Sequence, residues 1–86
     1  MSKPVKFFKL QSKASKHSLG DWEEIWRLNA DGSYSVIQYC NNETKKKERY
    51  DSDFLVINPN DENDGLKYRI ALLKPLTEQE AFIELL

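Results

Sequence analysis

The chain holds one cysteine, one histidine, three glycines and three prolines in 86 residues, and each shortage closes a route. A lone Cys40 forms no internal disulfide, which makes a reducing compartment the simpler setting. Cys40 and His17 supply two of the roughly four ligands that a structural zinc site needs. Gly20, Gly32 and Gly65 stand too far apart for a glycine-rich phosphate loop. No apolar run approaches the ~20 residues required to span a bilayer. The N-terminal MSKPVKFFKL places a lysine at every third position, where a secretory signal would carry an unbroken apolar stretch. These absences lead to the expectation of a cytoplasmic protein with no metal, no cofactor and no membrane partner.

Catalytic groups are scarce as well. An acid, base or nucleophile works when a partner holds and tunes it. His17 sits in the Lys- and Ser-rich SKASKHSLGD with no carboxylate close by in sequence. Cys40 ends an apolar segment beside Asn41 and Asn42, with no neighbour that would lower its pKa, and reads as a small buried hydrophobe. No residue is assigned a catalytic role, and the chain is read as non-enzymatic.

What is present suffices for one small folded domain spanning residues 1–86. Hydrophobic residues make up 40% and charged residues 31%, and ten side chains are aromatic, more than a disordered chain of this size would hold. The net charge of -1 covers a gradient: residues 1–19 carry five lysines and no acid, while residues 20–86 balance to -6. A basic arm for nucleic acid has this signature, and so does a lysine-protected edge strand followed by a solvated loop, which is the reading preferred here.

Along the chain, VKFFKLQ (residues 5–11) predicts a first strand, with Phe7 and Lys9 on one face and Phe8 and Leu10 on the other. In DWEEIWRLNADGSYSVIQYC, Asn29-Ala30-Asp31-Gly32 suits a three-residue hairpin loop closed by a left-handed glycine. That loop pairs Leu28 with Tyr34, Trp26 with Val36, and Trp22 with Cys40. It places Glu23, Arg27, Ser35 and Tyr39 on the opposite face. The charged stretch through Lys47, Arg49 and Asp51 reads as an edge strand, and FLVI and KYRIALL as two more strands. In PLTEQEAFIELL, Thr77 and Glu80 have capping-box spacing, so a helix is expected from Glu78 onward, with Ala81, Phe82, Leu85 and Leu86 on its inner face. The fold class expected is α+β, a mainly antiparallel sheet of four to six strands with a C-terminal helix packed on one face.

NPNDENDG, between FLVI and KYRIALL, resembles a calcium loop in composition only. With Gly65 at the sixth position of such a loop, Asn60, Glu62 and Asp64 take the first, third and fifth, but the twelfth falls on Ala71, where a bidentate glutamate is needed. It reads as a polar connection whose charge can meet a basic partner.

Binding is the remaining class. The hairpin pattern places Ile25, Arg27, Ile37 and Tyr39 on an outward face, and apolar, aromatic and arginine side chains are the usual anchors of an interface. With Asp61, Glu62 and Asp64 they form the candidate protein-binding set. The competing arrangement is that the C-terminal helix covers this face and makes its apolar members core. Small size and absence of motifs fit an inhibitor, immunity protein or adaptor of the kind carried by phages and mobile elements, whose partner is another protein or a second copy. The alternative is nucleic-acid binding by Lys6, Lys9, Lys13, Lys16, Lys45, Lys46, Lys47 and Arg49.

Overall fold

The computed structural model describes residues 6–12, 20–60 and 64–86, with side chains from residue 67 onward in the last stretch. Val5, the first residue of the predicted initial strand, lies outside them. The elements follow the order β1 (Phe7–Ser12), β2 (Trp22–Leu28), β3 (Tyr34–Asn41), β4 (Lys46–Arg49), β5 (Val56–Ile57), α1 (Asp64–Ala71), β6 (Lys74–Leu76) and α2 (Glu78–Glu84). The strands form an antiparallel sheet in the order β4-β3-β2-β1-β6, with β5 also paired to β3. The fold is α+β, as the sequence predicts.

β1 was expected at an edge and instead lies inside the sheet, between β2 and β6. The two ends of the sheet are protected by other means. β4 is exposed along its whole length and carries charge at every position. β6 is three residues long and has Pro75 at its centre, which has no N–H to offer a further strand.

The β2–β3 hairpin closes through the predicted three-residue loop. Asn29 N–H donates to Ser33 O at 2.8 Å, and Gly32 has φ of 90°. Asp31 accepts from the Ser33 backbone and hydroxyl at 2.9 and 2.6 Å, and these bonds hold its carboxyl below the usual carboxylate range. Leu28 pairs with Tyr34 and Trp26 with Val36, in the expected register. Beyond them Ile25 pairs with Gln38, so Ile37 is an extra residue on β3. Every later β3 side chain changes face. Trp22 therefore meets Asn41 instead of Cys40, Cys40 meets Glu23, and Tyr39 meets Glu24 on the tryptophan side.

That side carries the main core, in which Leu10, Trp26, Val36 and Ile57 are buried, with Phe8, Trp22, Tyr34, Tyr50, Ile70 and Leu73 packed against them. Phe8 meets Tyr34 edge-on at 5.7 Å, and Trp26 meets the same ring at 5.8 Å. Ile70 and Leu73 explain why KYRIALL is not the strand expected. Alternation would turn Tyr68, Ile70 and Leu72 the same way, but α1 sends Ile70 to the core while Tyr68 and Leu72 stay exposed. The spacing of three between Ile70 and Leu73 belongs to a helical turn.

α2 begins at the predicted capping box. Thr77 Oγ1 accepts from Glu80 N–H and Glu80 Oε1 from Thr77 N–H, both at 3.1 Å. These bonds keep the Glu80 carboxyl below its ordinary pKa. Thr77→Ala is expected to lower stability by about 1 kcal/mol, measured by urea denaturation, because a helix-end donor loses its partner.

Candidate interaction surface

α2 is fixed to the sheet face opposite the main core by a chain of polar contacts. Lys9 Nζ donates to Glu84 Oε1 at 2.8 Å and lies 3.3 Å from Glu23 Oε2. Desolvation works against the Lys9 ammonium, but the bonds and charges of Glu84 and Glu23 outweigh it and raise its pKa. Gln38, buried among these strands, donates from Nε2 to Glu84 O at 2.8 Å. Arg49 donates to Gln38 Oε1 at 3.2 and 3.1 Å and to Leu85 O. The last carbonyls of α2 thus meet a guanidinium and an amide, which suits the negative end of a helix.

With its inner side held, α2 turns Phe82, Ile83 and Leu86 outward, at 68, 64 and 75% exposure, while Ala81 is buried. Phe82 and Leu86 were expected on the inner face with Ala81 and Leu85. Apolar residues at 81, 82, 83, 85 and 86 wrap more than half of a helix that turns every 3.6 residues, so one sheet cannot cover them all. That surplus is the sign of this surface in the sequence. Phe82 and Leu86, with Phe7, Ala81, Leu85 and Glu78, line a groove of about 400 Å³.

The predicted protein-binding set does not form one surface. Ile25 and Ile37 are 2 and 9% exposed, so they are core and not anchors. Ile25 shares its face with Lys9 and Gln38, the residues that hold α2. The half-buried Arg27 donates to Asn29 Oδ1 at 3.3 and 3.0 Å. Tyr39 lies on the opposite face, 6.2 Å from the Trp22 ring, because of the extra residue at Ile37. Asp61 and Glu62 lie outside the described residues, and Asp64 opens α1. NPNDENDG therefore connects a strand to a helix and not to another strand.

The predicted basic set is similarly divided. Lys13 and Lys16 lie outside the described residues, as does His17. Lys9 and Arg49 are held by Glu84, Glu23, Gln38 and Leu85 O. Lys46 and Lys47 alternate between the two faces of β4, while Lys6 and Lys45 are exposed elsewhere.

One half-buried carboxyl stands out. Glu24 shares the core face with Leu10 and Tyr39, and both its Oε1 and the Trp26 Nε1 are shut from solvent without a formed hydrogen bond. Desolvation raises its pKa, while the nearby indole N–H and the Arg69 charge pull it partly back. The charged form is the disfavoured one in the fold. Glu24's contribution is therefore most stabilising below the ordinary value of 4.5 and is lost as pH rises through the raised one. Glu24→Gln is expected to raise the melting temperature at neutral pH, with the gain shrinking as pH falls through the raised pKa and gone below 4.5. Thermal melts across that range check it.

Among the described residues, no three His, Cys, Asp or Glu side chains gather to hold a metal, and no helix is long and apolar enough to cross a membrane. No protein-family model, no curated protein and no solved structure matches the chain.

Proposed function

We propose that this protein acts by binding another protein through the outer side of α2, and not by catalysis. The observation that carries this reading is the exposed trio of Phe82 and Ile83 on α2 and Leu86 just past its end, on a helix whose other side is fixed by Lys9, Gln38 and Arg49. Single exposed apolar residues are ordinary, but a contiguous cluster beside a groove marks an interaction site. Immobilisation of the helix adds to this, because a surface already ordered loses little entropy on binding. Inhibitor, immunity and adaptor roles all use a surface of this kind. Nucleic-acid binding has less support, since Lys9 and Arg49 are committed to α2 and Lys46 stands on the face opposite Lys47.

The test compares proteins retained by the wild-type chain and by Phe82→Asp from an extract of the cells that encode it. A defined protein held by the first and lost by the second is expected. Identical retention by both would overturn the reading.

A further inference from the structure

The outer ridge of α2, formed by Phe82, Ile83 and Leu86, has a hollow on each flank, and the two differ in charge. On one flank is the groove of about 400 Å³ with Glu78 at its lip. On the other, Lys74, Pro75, Leu76, Glu80, Ile83 and Glu84 line a hollow of about 290 Å³ together with Lys9. Lys9 is committed to Glu84 and Glu23, whereas Lys74 is exposed and forms no ion pair among the described residues. The Glu80 carboxylate in the same hollow is held in place by the capping box. An exposed cation and a fixed anion thus share one flank of an apolar ridge.

We infer that this surface receives a second copy of the chain, with the two α2 helices antiparallel about a two-fold axis and Lys74 of each copy facing Glu80 of the other. This rests on the reading that α2 is the docking surface, and the protein retained there is then the chain itself. A two-fold contact joins a patch to the same patch, so a surface with both signs of charge beside an apolar centre can match itself. A partner of one sign would satisfy either Lys74 or the glutamates and oppose the other. The helix's own charges set the orientation. A parallel pair would gather Glu78 and Glu80 of both copies at one end, whereas an antiparallel pair separates them and opposes the two helix dipoles. When antiparallel helices meet face to face about a two-fold axis, each flank meets its own counterpart. Lys74 and Glu80 share a flank, so each meets the other across the contact. With seven residues α2 is about 10 Å long, so the contact is small and the dimer weak, with a dissociation constant on the order of micromolar.

The experiment is sedimentation velocity of the full chain from about 1 μM to 1 mM, a range that spans the affinities of small interfaces. Wild type is expected to pass from monomer to dimer across it. Phe82→Asp, Lys74→Glu and Glu80→Lys should each weaken the dimer by about tenfold or more. An equimolar mixture of Lys74→Glu and Glu80→Lys should restore it, because both facing pairs are then of opposite charge. Circular dichroism of each variant checks the fold. If Glu80→Lys loses it, Glu80→Gln carries the test, since a glutamine can keep the capping bond while removing the charge. The dimer should weaken in that variant, and unchanged affinity would overturn the inference. Failure of the folded mixture to recover would do the same. A monomer at every concentration also overturns it, and the docking surface still stands if Phe82→Asp loses a different protein from the cell extract. A dimer indifferent to Phe82→Asp forms elsewhere on the chain and overturns the inference as well.

Discussion

Replacing Trp26 with alanine is expected to leave a large share of the chains unfolded at room temperature. Trp26 is 0% exposed and sits at the centre of the main core, between Leu10 on β1 and Val36 on β3, with Ile57 completing the cluster. Its ring also lies 5.8 Å from Tyr34, so one side chain joins β1, β2, β3 and β5. Truncating a buried tryptophan costs about 3–5 kcal/mol, through lost transfer energy and the cavity left behind. A domain of this size has a net stability on the order of 5 kcal/mol, so the substitution removes most of it. Circular dichroism and urea denaturation should show a weakened or missing folded baseline. A midpoint close to wild type would mean that the core is centred elsewhere.

Phe82→Asp is expected to do the opposite, leaving stability close to wild type while reducing affinity for the retained protein by about thirtyfold or more. Phe82 is 68% exposed, so its loss from the folded state removes little buried area. In a complex it would be covered, and truncating a central aromatic anchor typically costs about 2 kcal/mol or more. Aspartate adds a desolvated charge beside Glu78, which deepens the loss. The converse substitution, Ile25→Ala, should cost about 2–5 kcal/mol of stability, since Ile25 is buried beneath α2. Titration calorimetry with the retained protein and urea denaturation together separate the two effects. Equal affinity of Phe82→Asp and wild type would place the interface elsewhere.

The parts of the fold that could be read in advance are those set by local chemistry. Asn29 to Gly32 specify their turn, because Gly32 must take a positive φ and Asp31 caps the neighbouring Ser33 donors. Thr77 and Glu80 specify the start of α2 because each satisfies the other's backbone donor. The misreadings arise where distant contacts decide. Residues 68–72 alternate well enough for a strand, and only the core's use of both Ile70 and Leu73 selects a helix. The extra residue at Ile37 has no turn former or glycine to announce it, yet it moves Tyr39 and Cys40 to new faces.

The candidate site was less legible than the fold for the same reason. Ile25 and Ile37 have the composition of interface anchors, and whether they serve as such depends on where α2 lands. Lys9, Gln38 and Arg49 bring it over the face that Ile25 shares, both isoleucines are core, and Phe82, Ile83 and Leu86 are exposed instead. A side chain's role here is set by a helix far along the chain, held by contacts 46 and 75 residues apart in sequence.

The most direct test of the outer side of α2 as the docking surface is site-specific photo-crosslinking in the cells that encode the protein. A photoreactive residue replaces Ile83 in one variant and Lys46, exposed on the opposite face of the sheet, in another. The account predicts a discrete crosslinked protein from position 83 and none from position 46. A crosslink from position 46 with none from position 83 would contradict it.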